Sequence, residues 1–287
     1  MVSSIITNIM NMWFDMDLKI KYYLELIRVK NCLTASFGTI IGGLIASNFN
    51  FGLIGYILLA SLIVFLVCGF GNALNDIQDI EIDKINKPNR PLPSNKISLK
   101  SATIFSYLLM ASGIIISLFN MICFVIALIN SIVLYLYAKK YKKNKIIGNL
   151  IVAYLTGSIF IFGGASVGNV EITLILFLCA LFATWSREII KDYEDLEGDK
   201  SEGVISIPIK YGKTSIYVAI GFLICAILLS PLPYILGMFG APYLIAIMVC
   251  NILFILTVLK LLKNPSKEIA GSSSKYIKII MNLVLLS

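Results

Sequence analysis

Residues 52–83 read GLIGYILLASLIVFLVCGFGNALNDIQDIEID. From 52 to 75 there is no charged side chain, and the next eight residues carry four acids. An uncharged, mainly apolar run that long exceeds the roughly 20 residues needed to cross a hydrocarbon core about 30 Å thick. It is read as a membrane span that runs straight into an acidic cluster. Both features recur along the chain.

Apolar runs bounded by polar loops place further spans, giving 24–47, 52–74, 99–118, 120–138, 146–166, 172–190, 214–236 and 239–262. A ninth run starts near Tyr276, and its helix would reach only about 20 Å, short of a full crossing. The expected fold class is therefore all-α: a polytopic membrane bundle of eight to nine transmembrane helices. The composition agrees, with 58% hydrophobic and 14% charged residues and a mean hydropathy of +0.89. Soluble domains run near 45–50% apolar and about 25% charged. One domain over 1–287 is expected, with an interfacial segment over 1–18 that sets Trp13 and Phe14 at headgroup depth and is not a signal peptide. Polar loops at one end of the bundle are expected at 84–98 and 192–213.

The net charge of +8 does not point to nucleic acid, because the basic residues sit in short loops between apolar runs. The connections near 48–51, 119, 167–171 and 237–240 contain no lysine or arginine. All 24 basic residues precede span 1, follow spans 2, 4, 6 and 8, or lie at the ends of those helices. Lysine and arginine collect on the cytoplasmic side, so the N-terminus and the even-numbered loops are expected in the cytoplasm of a multi-pass cell-membrane protein. There is no histidine, which removes the commonest general base. The six cysteines fall in separate apolar segments and form no CxxC pair; they read as small buried hydrophobes.

Eleven of the 16 acids fall in two windows, 76–83 and 188–202. Both windows follow even-numbered spans and so open on one membrane face. Asp76-Ile-Gln-Asp79-Ile-Glu81-Ile-Asp83 and Asp192-Tyr-Glu-Asp195-Leu-Glu197-Gly-Asp199 share the form DxxDxExD, and four spans separate them. An even number of spans preserves orientation, as a parallel internal repeat requires. At about 100° per helical residue, Asn72, Asn75, Asp76, Asp79 and Asp83 share an arc of about 100°, with Glu81 opposite. Glu188, Lys191, Asp192, Asp195 and Asp199 share the same arc in the second window, with Glu197 opposite, although Gly198 is positioned to end that helix early.

Carboxylates crowded on one face repel, and burial raises the cost. A bound cation removes that penalty. Hard oxygen ligands without histidine or clustered cysteine select Mg²⁺ or Ca²⁺ over zinc. Mg²⁺ shares its coordination with phosphate oxygens, so two such clusters predict two or more Mg²⁺ ions and a diphosphate. The competing reading, a solvated acidic helix end, explains neither the repetition nor the shared face.

The window Asn75-Asp76-Ile-Gln-Asp79-Ile-Glu-Ile-Asp83 resembles the first signature, NDxxDxxxD, of the UbiA-type intramembrane prenyltransferases. Ile85-Asn-Lys-Pro88-Asn89-Arg90-Pro91-Leu92-Pro93 resembles the loop that follows it. Asp192-xx-Asp195-xxx-Asp199 resembles the second signature, and Tyr135-Leu-Tyr-Ala-Lys139 the YxxxK element of the fourth helix. Within that family the stretch Arg187 to Asp195 is most similar to archaeal digeranylgeranylglyceryl phosphate synthases. The resemblance implies a nine-helix bundle with a central cavity. It also implies Mg²⁺-dependent transfer of geranylgeranyl from its diphosphate to geranylgeranylglyceryl phosphate, forming an ether in archaeal lipid synthesis. The expected partners are a prenyl diphosphate donor, a lipid-like glyceryl phosphate acceptor and membrane lipids, with no nucleic acid.

Asp79, Asp83, Asp195 and Asp199 are the expected catalytic carboxylates and Mg²⁺ ligands, with Asp76 and Asp192 as direct or supporting ligands. Asn75 and Asn72 offer neutral oxygens on the same face, although Asn72 equally suits a helix–helix hydrogen bond. Lys139 with Tyr135, Arg187 and Lys191 are candidates to neutralise phosphate oxygens. Snorkelling and an aromatic belt account equally for Lys139 and Tyr135. Arg28 and Lys30 suit the acceptor's phosphate or the orientation signal, and Arg90 suits a lid. Two other functions remain open on the residues alone: prenyl transfer to an aromatic acceptor, and cation transport. A transporter's acids belong near the bilayer midplane on broken helices, whereas these lie at helix ends.

Overall fold

A chain segment in lipid must satisfy its own backbone hydrogen bonds, which leaves the helix as the form for an isolated apolar run. The computed structural model describes residues 19–201 and 203–285, and its long elements are all helices. Among the described residues, eight helices are long and apolar enough to cross a membrane. The chain divides by internal contacts into two compact units, Met1–Phe37 with Leu59–Lys139, and Gly38–Leu58 with Lys140–Ser287.

The first unit takes the start of α1 (Val29–Ala46), most of α2 (Ile54–Gln78), α3 (Ile80–Asn86), α4 (Leu99–Ser117) and α5 (Met121–Leu136). The ends of these helices are written in the sequence. Ser98 caps α4 by accepting from the Ser101 amide, and Asn120 caps α5 by accepting from Ile122 and Cys123. Gly71 lets α5 approach, since a Cβ there would stand 2.6 Å from Leu134 Cδ2. The loop from Lys87 to Ser98 folds on itself, with the Lys96 amide donating to Pro91 O at 3.0 Å. Its Leu92 and Ile97 are buried with Leu26, Ala73 and Ala102.

The second unit contains the end of α1, then α6 (Lys145–Ser166), α7 (Thr173–Glu194), α8 (Leu196–Ser201), α9 (Ile207–Tyr211), α10 (Thr214–Leu229), α11 (Leu232–Ile235), α12 (Ala241–Lys263) and α13 (Lys267–Val284). Helix α7 packs against α6, α10 and α13. The buried face of α6 is mostly small, with Gly148, Ala153, Gly157, Ser158, Gly163 and Gly164, as expected where helices associate without a hydrophobic drive. Many large apolar side chains, such as Leu62, Leu108, Ile129 and Leu256, point outward. In water such a surface would aggregate; in a bilayer it meets lipid tails, and the chain is an integral membrane protein.

Several sequence boundaries move. The span expected over 24–47 is broken at Ile27–Arg28, and α1 starts at Val29. The last helix starts at Lys267, not near Tyr276, and is not among the eight candidate spans. Its first turns are too polar for a hydropathy reading, yet Ala270, Gly271, Ser273 and Ser274 are buried, so small size sets its inner face. Gly198 does not stop the second acidic helix, because α8 continues through it. Cys225 is exposed rather than buried, and all six cysteines are free. The expected interfacial segment over 1–18 lies outside the described residues.

Candidate active site

Each acidic window has the same local build. A long helix runs to the residue before the middle aspartate, that aspartate marks the break, and a short helix follows. In the first unit α2 gives way to α3 at Asp79, with φ −92° and ψ 3°. In the second unit α7 gives way to α8 at Asp195, with φ −83° and ψ 5°. This bridge region of backbone space is sparsely used and common among active-site residues. The helical ladder still passes through both breaks. Asp79 donates to Asn75 O at 3.0 Å and Asp83 to Asp79 O at 2.7 Å; Asp195 donates to Lys191 O and Asp199 to Asp195 O, both at 3.0 Å. The three aspartates of each window therefore keep one face. The outer ones are buried, with Asp76 5%, Asp83 4%, Asp192 3% and Asp199 8% exposed. Glu81 and Glu197 lie exposed on the other side.

Buried carboxylates need cations nearby. In the first unit Arg90 Nη1 stands 3.1 Å from Asp76 Oδ1 and 2.6 Å from Asp83 Oδ2. Arg28 also pairs with Asp76, and Lys87 stands 3.9 Å from Asp83. Arg28 occupies the helix break at a left-handed φ of 52°, which costs a non-glycine residue about 1–2 kcal/mol. The turn is held because Asn72 Nδ2 donates to Ile27 O at 2.9 Å, one helical turn from Asp76. The amide of Asn72 thus makes the helix–helix hydrogen bond that sequence reasoning had set beside substrate contact. Asn75 Oδ1 is buried without a partner.

In the second unit the cation is Lys145. Its Nζ lies 2.9 Å from Asp192 Oδ1, and 2.9 and 2.7 Å from the two oxygens of Asp199. Asn149 Nδ2 donates to Asp192 Oδ2 at 2.6 Å. Sequence reasoning missed both residues in this role. The available signal was spacing: Lys145 opens a span 47 residues before Asp192, as Arg28 opens one 48 residues before Asp76.

The other expected site residues are placed as follows. Tyr135 packs on the Phe70–Leu74 cluster of the first unit, and Lys139 Nζ stands 4.8 Å over its ring. The chain from Tyr137 to Tyr141 is a π-turn, a local widening of the helix that recurs at functional sites. Arg187 is paired with Glu188, with its Nε buried and unpartnered. Lys30, Lys191 and Asp195 are exposed, and Asp79 is half-buried.

Residues 35–283 match the UbiA prenyltransferase family over most of the chain. The chain belongs to the UbiA prenyltransferase family. Among relatives of this UbiA chain, the digeranylgeranylglyceryl phosphate synthase of Methanococcus aeolicus is 95% identical over 272 residues, covering 95% of this chain and 98% of that protein. A solved structure from work on digeranylgeranylglyceryl phosphate synthase in membranes superposes with a TM-score of 0.85 at 60% identity, covering 93% of this chain and 96% of the other. A UbiA homologue from Archaeoglobus fulgidus, solved with GPP and Mg²⁺, shares the fold at a TM-score of 0.56 and 17% identity, covering 91% of this chain and 99% of that one.

The UbiA residues present fit a metal of a particular kind. Among the described residues no three Asp, Glu, Cys or His side chains gather as a cage, so a closed protein site is not built. Mg²⁺ does not need one, since it is held by one or two carboxylates together with substrate phosphates. The donors are all hard oxygens. In the second unit one ammonium serves two buried carboxylates, which leaves that pair one positive charge short. The orphaned Asn75 Oδ1 is a further unused oxygen beside the first window.

Proposed function

We propose that this chain transfers a geranylgeranyl group from geranylgeranyl diphosphate to the hydroxyl of geranylgeranylglyceryl phosphate. The C1–O bond to diphosphate breaks, a C1–O ether bond to the glycerol oxygen forms, and the products are digeranylgeranylglyceryl phosphate, diphosphate and a proton. The acceptor assignment is carried by the near-identity, over almost the whole chain, with the Methanococcus aeolicus enzyme of that name. Such end-to-end likeness favours this acceptor over an aromatic one, and family membership favours an enzyme over a transporter.

The residues take these parts. Asp79 and Asp83 in the first window and Asp195 and Asp199 in the second hold divalent metal, with Asp76, Asp192 and Asn75 in support. The chemistry a bound Mg²⁺ supplies is neutralisation of the diphosphate's charge; the bound GPP and Mg²⁺ of the Archaeoglobus homologue are consistent with this use. Arg90, Arg28 and Lys145 hold the buried carboxylates in place. Lys139, Lys191 and Arg187 supply positive charge to phosphate oxygens. The apolar spans exclude water, which would otherwise hydrolyse an allylic centre with cation character. Both windows are assigned to the cytoplasmic face, where the lysine- and arginine-bearing loops belong.

The test is a side-by-side assay of purified protein with labelled geranylgeranyl diphosphate and either geranylgeranylglyceryl phosphate or 4-hydroxybenzoate. Ether product from the first and none from the second is expected; the reverse pattern overturns the acceptor assignment.

A further inference from the structure

We propose that Lys145 is the positioning residue of the second acidic window, clamping Asp192 to Asp199 so that Asp195 is offered to metal in a fixed geometry. The inference rests on the reading above for the identity of the ligand.

A lysine carries three donors, and Nζ of Lys145 has three acceptors, Asp192 Oδ1 at 2.9 Å and the two Asp199 oxygens at 2.9 and 2.7 Å. Its side chain is 24% exposed while its partners are nearly closed off, so the contact is shielded from salt and solvent. The second oxygen of Asp192 is taken by Asn149, one helical turn further along α6. Asp192 is therefore fixed from one helix at both oxygens.

The Lys145 amide donates to Ile205 O at 2.8 Å, and the Ile205 amide donates to Lys143 O at 2.9 Å, forming an isolated parallel bridge between Asn144 and Ile205. The Val204 amide donates to Asp199 O at 3.0 Å. One residue thus ties the acidic helix by its side chain and the following chain by its backbone. Helix α8 has six residues, far below the roughly 12–15 at which a helix is marginal on its own, and it contains Gly198. Its position must come from such ties. The first unit meets the same need with three cations, Arg90, Arg28 and, at 3.9 Å from Asp83, Lys87. The second has Lys145 alone on its outer aspartates among the described ion pairs, so losing it leaves α8 only the solvent-exposed pair of Glu197 with Lys267.

The test compares wild type, Lys145→Met, Lys145→Arg and the double variant Lys145→Met with Asp199→Asn. Amide exchange is followed at 196–201 and 204–206 in protein stripped of metal, and Mn²⁺ binding is followed by electron spin resonance without either prenyl substrate. Lys145→Met should speed exchange at those amides and weaken Mn²⁺ binding by about 10–100-fold, the range seen when residues that orient metal ligands are lost. Lys145→Arg should restore most of both, because a guanidinium retains the charge and the reach. The double variant should exchange more slowly than Lys145→Met, since it leaves one buried carboxylate, Asp192, without a cation rather than two. Unchanged exchange and Mn²⁺ binding in Lys145→Met, with a raised KM for the prenyl diphosphate, would assign Lys145 to direct phosphate contact and overturn the proposal. Neither binding readout involves an acceptor, so a wrong acceptor assignment would leave them unaffected.

Discussion

Arg90→Met isolates the electrostatics of the first window. Arg90 Nη1 bridges Asp76 at 3.1 Å and Asp83 at 2.6 Å, and both carboxylates are about nineteen-twentieths buried. Without it Asp76 keeps Arg28, but Asp83 is left with Lys87 at 3.9 Å, a side chain 56% exposed. Removing one partner of a fully buried pair costs about 3–5 kcal/mol. Arg90 is 23% exposed and Asp76 retains a cation, so about 2 kcal/mol is the appropriate scale. For a chain of this size that corresponds to a fall of about 4–8 °C in Tm. Methionine keeps the apolar stem, so loss of packing is small. The assay is thermal unfolding in detergent, run beside Asp83→Asn and the double variant. The double variant should be less destabilised than the two single changes added together, because it no longer buries a lone charge. Simple additivity, or an unchanged Tm in Arg90→Met, would refute the view that Arg90 neutralises this pair.

Two further predictions concern the supports of the site. Asn72→Ala removes the hydrogen bond to Ile27 O that holds Arg28 in its left-handed turn; the carbonyl still accepts from Cys32 Sγ at 3.1 Å, so a loss of about 0.5–1.5 kcal/mol, the net worth of one hydrogen bond, is expected, together with weaker diphosphate binding, both measurable by unfolding and by KM. Gly157→Ala in the second unit would set a Cβ 2.7 Å from the Phe177 carbonyl oxygen, a backbone atom that cannot rotate away; overpacking should cost about 1–3 kcal/mol, read as a lowered Tm, whereas Gly221→Ala, with open space around it inside α10, should hold or slightly raise Tm because alanine favours the helix.

What the sequence made legible was local. Spans expected at 99–118 and 146–166 appear as Leu99–Ser117 and Lys145–Ser166, because an apolar run in lipid has one backbone solution. The helical period placed Asp76 and Asp83 opposite Glu81, and Asp192 and Asp199 opposite Glu197, which matches their burial. That worked because four or eight residues of helix carry little accumulated error. The partners of those aspartates were hidden. Asn149 and Lys145 lie 43 and 54 residues from the carboxylates they meet, and no local pattern encodes such a pairing. The break at Arg28 was equally invisible, since its cause, Asn72, lies 45 residues beyond the carbonyl it binds. The last helix was cut short because its inner face is built from small polar residues rather than apolar ones.

The most direct measurement is geranylgeranyl transfer by Asp79→Asn and Asp195→Asn, each assayed with Mg²⁺ and with chelator, beside the untouched protein. These substitutions keep size and shape and remove one negative charge at each helix break. The account predicts that either change, or chelation alone, abolishes ether formation while the protein still unfolds near its normal temperature. Full transfer by Asp195→Asn, or by the metal-free protein, would contradict it.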